Sequence, residues 1–357
     1  MSRTTMSETI KGRVQAAARQ LGTADPVTFI GALIERSFPL PPGSPQYAAN
    51  TLTPGAVPVE PSYSEQEPHV LRLTISPLVG SSPISRRDEA TREMRRLVGP
   101  LFGHDALRWF DQRSEEWRSM MASPHLEYGA WFGTAYDEDG LYASKVYYEL
   151  HPEQIAALPM SLRSLVQTAL QAMPRLIPVF TSIRCGRDTG SQRVTFAPRG
   201  PLRLNDLAPL LNALGLGHQL PGIMQVVGLC LGGRFELPDN AALLGLRETA
   251  EGPELKFEVL LGMIPDLPPN FLNLLALGLA ERPRQLAALG RWLHAFTPED
   301  YDWPGDFSVL SIRTTARTPA RVSLYLRPIE FEIRQRLSNV PGFRQDPYDL
   351  NAGATAA

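Results

Sequence analysis

The stretch HLEYGAWFGTAYDEDGLYASKVYYEL, residues 125–150, contains two segments with the composition of β-strands. HLEYGAWFGTAY at 125–136 and LYASKVYYEL at 141–150 are rich in aromatic residues, and the DEDG between them is a strong turn signal. Two strands joined by so short a turn pair antiparallel. The stretch therefore predicts a β-hairpin.

Four more pairs of the same kind follow one another along the chain. They are VPVEPSYS with HVLRLTIS (57–64 and 69–76), PVFTSIRCG with SQRVTFAP (178–186 and 191–198), NAALLGLRET with ELKFEVLL (240–249 and 254–261), and DFSVLSIRTTAR with ARVSLYLR (306–317 and 320–327). Helical patterns follow four of the five pairs, and residues 1–38 are also helical in pattern before a Pro/Gly-rich linker. The chain thus repeats a ββαα unit.

This repeat predicts an α+β fold. Antiparallel pairs exclude a TIM barrel and a Rossmann sheet, in which single strands alternate with helices. Ten antiparallel strands with helices on one side favour a ten-stranded antiparallel β-barrel within a ring of α-helices. The alternative is an open α+β sheet with helices on one face. We expect a single domain over 1–357, with an N-terminal helical region and linker (1–50), the five-unit barrel (about 50–335) and a C-terminal tail (336–357).

Composition narrows the function classes. With 43% hydrophobic and 20% charged residues and a formal net charge of −2, the chain can bury a core and has no basic field for nucleic acid. No uninterrupted apolar run could span a membrane, and the N-terminus lacks the apolar segment of a signal peptide. Cys185 and Cys230, the only cysteines, make a disulfide framework or zinc site improbable. We expect a cytoplasmic protein.

The second strand of each pair carries polar residues two positions apart. Alternate residues of a barrel strand face the lumen. The polar pairs are Arg72 with Thr74, Lys145 with Tyr147, Arg193 with Thr195, Lys256 with Glu258, and Ser323 with Tyr325. Only three of the 35 basic residues are lysines, and two of these are in the set. Cations converging on one lumen would require a strongly anionic ligand such as a diphosphate. The alternative is that they lie on the solvated face of a sheet.

The first pair carries a resemblance to a known family. GAVPVEPSYSEQEPHVLRLTISPLVG, residues 55–80, resembles the opening of the dimethylallyltryptophan synthases, the indole prenyltransferases of the ABBA (PT-barrel) class. The matching positions are Pro58, Val59, Glu60, Ser62 and Tyr63, followed by Arg72, Pro77 and Gly80. KVYYEL, SQRV and VSLYLRP are similar to later strands of that family, and the resemblance covers about residues 50–335.

The resemblance implies an activity and roles for residues. A prenyl group from dimethylallyl diphosphate, or from geranyl diphosphate, would be transferred to an indole such as tryptophan, with no cofactor and no essential Mg²⁺. Glu60 would bind the indole N–H and act as the base. The diphosphate would be bound by cationic and tyrosine side chains, namely Arg72, Lys145, Tyr147, Arg193, Lys256 and Tyr325. The chain also lacks a DDxxD-like metal motif.

Some positions depart from the family's pattern, and some alternatives stay open. Thr195 stands where a lysine is frequent in the family, and Glu258 where a tyrosine is frequent. A carboxylate in the lumen would need an ion pair with Lys256. Otherwise the register of this strand is shifted by one residue, and the pair faces outward. Trp131 and Arg184, on first strands, are candidates for the acceptor side, and Thr195 is a further candidate to line the substrate. A phenolic or peptide acceptor, a barrel that only binds a hydrophobic ligand, and a different transferase on an open sheet remain alternatives. The chain could be a monomer or a homodimer.

Overall fold

The computed structural model describes residues 4–119, 125–187 and 190–333, and its centre is a β-barrel. Its ten strands come in five hairpins. They are β1 (Val59–Ser64) with β2 (Leu71–Ile75), β3 (Ala130–Asp137) with β4 (Gly140–Glu149), β5 (Leu176–Gly186) with β6 (Gly190–Pro198), β7 (Ala242–Thr249) with β8 (Gly252–Leu260), and β9 (Gly305–Thr314) with β10 (Arg321–Pro328).

Each strand pairs antiparallel with its two neighbours in chain order, and the first and last strands close the circle. Ser62 of β1 lies opposite Tyr325 of β10, and Ser64 lies opposite Ser323. Closure removes both free edges of the sheet. The prediction of a ten-stranded antiparallel barrel is confirmed, and the open-sheet alternative is wrong.

Helices surround the barrel. Those of the described residues are α1 (Met6–Leu21), α2 (Pro26–Ser37), α3 (Pro83–Phe102), α4 (His104–Arg118), α5 (Met160–Ala172), α6 (Ala208–Ala213), α7 (Leu220–Cys230), α8 (Phe271–Gly278) and α9 (Pro283–Phe296). The fifth hairpin is followed, as far as residue 333, by a 3-10 turn at Ile329–Phe331. The N-terminal helices complete the ring there, because α1 packs against α9 and Arg13 forms an ion pair with Glu330. The tail expected at 336–357 lies outside the described residues.

The strands have an apolar outer face and a polar inner face. Tyr63 points outward, where its hydroxyl donates to the Gln285 carbonyl at 2.8 Å and its ring lies 6.1 Å from that of Trp292. Tyr148 also points outward and shares a 2.8 Å hydrogen bond with Thr91 of α3. The hydrophobic core is therefore the layer between barrel and helices, which leaves the lumen free for polar groups.

Two other expectations concern cysteines and membranes. Cys185 and Cys230 are both free and buried, as the absence of a disulfide framework predicts. Within the described ranges, no helix is both long enough and apolar enough to cross a bilayer.

The backbone that leads into β3 is fixed by one buried carboxylate. Glu149 accepts hydrogen bonds from the backbone N–H groups of Glu127 (2.9 Å), Tyr128 and Gly129. Gly129 has a φ of +83°, and a Cβ there would lie 1.9 Å from the carbonyl oxygen of Pro83 at the start of α3. Only glycine suits this position, and the loop places Tyr128 at the foot of the barrel.

We predict that Gly129→Ala destabilises the fold by about 3 kcal/mol, because it combines an unfavourable positive φ with a steric clash against backbone. Thermal denaturation measures the change. Gly290→Ala is the matched control, since a Cβ at this exposed position of α9 meets nothing within 4 Å and should raise stability slightly. Equal melting temperatures for Gly129→Ala and the unmodified protein would show that the loop is placed differently.

Candidate active site

A cavity of about 290 Å³ opens at the end of the barrel where the hairpin turns lie. Its wall is formed by strand residues near those turns and by the β1–β2 loop. Its charged and aromatic lining residues are Glu67, Arg72, Tyr142, Lys145, Tyr147, Arg184, Arg193, Arg247, Arg313 and Tyr325. Five of the six residues predicted to bind a diphosphate therefore share one cavity; Lys256 lies deeper.

Two cations of this cavity, Arg247 and Arg313, were not predicted from the sequence. They lie on the first strands of their hairpins, whereas the residues predicted to bind a diphosphate all lie on second strands. A signal was present. Ser311, Ile312 and Arg313 repeat the tripeptide that ends in Arg184, at the equivalent place in another hairpin. Register explains the convergence, since Arg184 lies opposite Lys145 and Arg313 lies opposite Lys256.

Three of the cavity's arginines already have carboxylate partners. Arg72 pairs with Glu67, which also accepts a 2.6 Å hydrogen bond from the Tyr142 hydroxyl. Arg193 and Arg247 share the buried Glu254. Burial opposes ionisation of these carboxylates, but the charge of Arg72 lowers the pKa of Glu67 to about 2. Arg193 does the same for Glu254, whose pKa is also about 2.

Three other cations form no ion pair with any part of the chain that the structure describes. Lys145 Nζ donates to the Tyr147 hydroxyl at 2.9 Å and lies 4.6 Å from the centre of that ring. Arg184 lies over the Tyr142 ring at 5.4 Å, and the buried Nε of Arg313 has no hydrogen-bond partner within the described ranges. The cavity thus carries surplus positive charge, which an anionic ligand would neutralise.

Burial, together with repulsion from Lys256 and Arg193, holds the pKa of Lys145 well below its ordinary value. Burial also lowers the pKa of Arg193, to about 10, although Glu254 opposes the shift. Burial also opposes the charge of Arg313, but the nearby Glu254 raises the pKa of that group. The cavity therefore disfavours the charges of Lys145 and Arg193 but not that of Arg313.

Below the cavity, Lys256 and Glu258 form an ion pair inside the barrel, with side chains only 8% and 9% exposed. The Lys256 ammonium also donates to the Tyr325 hydroxyl at 2.9 Å. Of the two possibilities left by the sequence, the internal pair is correct and the shifted register is wrong. Lys256 lies opposite Gly245, and Thr195 lies on the other side of that glycine at the same level.

Glu60 is a buried carboxylate deeper in the same barrel. It lies opposite Thr74, which lines the cavity, so the two side chains share the inner face of the barrel. The hydroxyl of Ser308 donates to Glu60 Oε1 at 2.6 Å. Burial raises the pKa of Glu60 to about 7; the hydrogen bond from Ser308 opposes this rise, and the charge of Glu258 adds to it.

An aromatic wall lies beside the cavity, formed by Tyr128, Trp131, Tyr147 and Phe180. Trp131 lies opposite Tyr147 and stacks on Tyr128, with ring centres 4.3 Å apart and planes 14° apart. Phe180 closes the group at 5.7 Å from Trp131. Trp131 therefore faces the lumen, whereas Arg184 lies one level higher among the cations; an acceptor role for either stays a prediction.

The resemblance implies a site that needs no metal ion. Among residues 4–119, 125–187 and 190–333, no three His, Cys, Asp or Glu side chains are grouped so as to hold one. The charged lining of the cavity is mainly arginine and lysine, with Glu67 as its one carboxylate among the described residues.

We predict that Lys145→Met raises the melting temperature at pH 7, by roughly 2 °C, because a buried ammonium without a carboxylate partner opposes folding. Because the pKa of Lys145 is lowered in the folded protein, its charge opposes folding only below the pKa that lysine has in the unfolded chain. The stability gained by Lys145→Met should therefore shrink as the pH rises toward 10.5. Lys11→Met is the control, since Lys11 lies on the outer helix α1 and pairs with Glu35. A lower melting temperature for Lys145→Met at pH 7 would contradict this reading.

No protein-family model matches the chain, and no curated protein sequence does so significantly. Solved structures do match. The prenyltransferase PriB in its apo form aligns with a TM-score of 0.68 and 17% identity over 95% of this chain and 100% of its own. The 5-dimethylallyltryptophan synthase from Streptomyces coelicolor aligns with a TM-score of 0.67 and 17% identity, over 93% and 100%.

The 6-dimethylallyltryptophan synthase from Micromonospora olivasterospora, solved with DMASPP and Trp, aligns with a TM-score of 0.68 and 17% identity over 92% of this chain and 99% of its own. These alignments extend over nearly the whole barrel and its helices. The chain therefore has the PT-barrel (ABBA) fold of these aromatic prenyltransferases.

Proposed function

We propose that the protein is an aromatic prenyltransferase that moves a dimethylallyl or longer prenyl group from its diphosphate to an indole. One observation carries the proposal. A cavity with cations that have no ion-pair partner among the described residues lies above a buried carboxylate of raised pKa, inside one closed barrel. The fold shared with enzymes solved with tryptophan and a prenyl diphosphate analogue supports it.

The donor would bind with its diphosphate in the cavity. Lys145, Arg184 and Arg313 have no carboxylate partner among the described residues and would supply the charge. The carbon–oxygen bond then breaks, and its electron pair stays on the diphosphate, where these cations stabilise it. Because side chains neutralise the leaving group, the reaction would need no Mg²⁺.

The allylic cation left behind would lie between the tyrosines at the bottom of the cavity. Tyr147 and Tyr325 both line the cavity, and each already has a lysine ammonium near its ring, at 4.6 and 5.1 Å. Ring faces that accept an ammonium also stabilise a carbocation and hold water away from it.

The acceptor would lie deeper, with its ring between Trp131 and Glu60. Its π electrons form the new carbon–carbon bond, and the ring proton passes to a base. Glu60 suits that role, since a pKa of about 7 leaves a large fraction ionised at neutral pH and yet able to hold the proton. An indole provides an N–H for the same carboxylate, which favours it over a phenol.

The first test is turnover of dimethylallyl diphosphate with tryptophan and other indoles, phenols and peptides, with and without EDTA. We expect a prenylated indole, in equal yield with the chelator, because the charges that bind diphosphate belong to the chain. Product lost with EDTA would contradict metal independence. A phenol or peptide product alone would change the acceptor, and no product from any acceptor would favour a barrel that only binds hydrophobic ligands.

We also predict that kcat/KM of the unmodified protein falls below about pH 7, as Glu60 becomes protonated and can no longer accept the ring proton. Glu60→Gln should lower kcat by at least ~100-fold and remove this pH dependence. Its melting temperature at pH 8 should not fall, since the amide avoids burying a charge. Glu248→Gln makes the same change at an exposed position and should leave activity intact. Full activity in Glu60→Gln would exclude Glu60 as the base.

A further inference from the structure

Two lysines face the inside of the barrel, and their surroundings differ. Lys145 has no carboxylate partner among the described residues and lines the cavity. Lys256 lies below the cavity and is bound by Glu258, two residues along the same strand. A buried lysine that served only to attract an anion would not need a carboxylate permanently attached to it. The position of Glu258 therefore calls for an explanation.

The location of the pair provides one. The Lys256 ammonium reaches the Tyr325 hydroxyl at 2.9 Å and lies 5.1 Å from its ring centre, at the bottom of the cavity. Lys256 and Glu258 also act on Glu60 with opposite signs. Glu60 is faced by these two residues from β8, by Ser308 from β9 and by Arg327 from β10. Burial lowers the pKa of Lys256, and the charge of Glu258 opposes that shift. With a diphosphate in the cavity to hold the proton, Lys256 without Glu258 would be a free ammonium between the cavity and Glu60.

We propose that Glu258 is a charge-positioning residue that neutralises Lys256, and so confines the surplus positive charge of the barrel to the cavity above. The inference rests on the proposed function. There, breaking the carbon–oxygen bond leaves its electron pair on the diphosphate and the positive charge on carbon. That charge persists until the ring forms the new bond and releases its proton to Glu60. The bound diphosphate would neutralise Lys145 beside Tyr147. A second ammonium beside Tyr325, left without a negative partner, would repel this carbon and hinder the reaction.

This role predicts opposite effects of Glu258→Gln on binding and on chemistry. Freeing Lys256 adds one positive charge near the cavity, so inorganic pyrophosphate should bind at least ~tenfold more tightly. Tenfold is roughly the effect of the added charge on one unit charge about 10 Å away in a medium of dielectric constant about 20, and pyrophosphate carries several. The same free charge should lower kcat at least ~tenfold. If Glu258 only held Lys256 in place to bind diphosphate, pyrophosphate would instead bind more weakly.

Isothermal titration with pyrophosphate, on the unmodified protein and a double-mutant cycle, tests the proposal. Lys256→Met leaves Glu258 unpaired and should weaken binding. The double variant Lys256→Met/Glu258→Gln has the original net charge and should return to within about threefold of the original affinity. If Glu258→Gln does not fold, the comparison of Lys256→Met with the double variant still shows whether removal of the Glu258 charge strengthens or weakens pyrophosphate binding.

The outcomes separate this proposal from the proposed function. Tighter binding in Glu258→Gln, reversed in the double variant, supports charge positioning. Unchanged or weaker binding in Glu258→Gln overturns it and leaves the donor site intact. The absence of pyrophosphate binding by the unmodified protein would overturn the donor site itself, and this inference with it.

Discussion

Hydrogen bonds between β1 and β10 close the sheet, and the rest of the structure depends on that closure. A closed antiparallel sheet has an inside and an outside, and successive side chains of each strand alternate between them. Outside, the strands bury an apolar layer under the helices, which stabilises the fold. Inside, polar side chains from most of the strands face one another across a lumen. A site built this way draws its functional groups from several rigid strands, as precise positioning requires.

The net charge of the side chains changes along the axis of this lumen, from positive at the hairpin end to acidic further in. At the hairpin end, Lys145, Arg184 and Arg313 form no ion pair with a carboxylate among the described residues, and the buried Lys145 ammonium opposes folding. Further in, Lys256 is neutralised by Glu258, and Glu60 has a pKa raised toward neutrality. A cationic mouth above an acidic interior suits a reaction that releases a diphosphate and then a proton. The fold alone does not imply this arrangement; it comes from the particular side chains.

The sequence predicted the fold well because its signals are local: hairpin turns such as DEDG and strand alternation are written in neighbouring residues. It also identified the three cavity cations that lie on second strands, Arg72, Lys145 and Arg193. It missed Arg313 and Arg247, since which first-strand residues reach the cavity depends on the register between distant strands. The partners of each charge, such as Glu254 for Arg193, were equally beyond it, because ion pairing depends on packing in three dimensions. Whether Lys256 and Glu258 both face inward could be decided only by the observed register.

The central claim is that the unpaired cations of the cavity bind the diphosphate of a prenyl donor. The measurement that tests it most directly is a crystal structure of the protein with dimethylallyl thiolodiphosphate. We expect phosphate oxygens within hydrogen-bonding distance of Lys145 and Arg313, and a prenyl chain directed past Tyr147 and Tyr325 toward Glu60. A diphosphate bound elsewhere, or a prenyl chain directed out of the barrel, would contradict it.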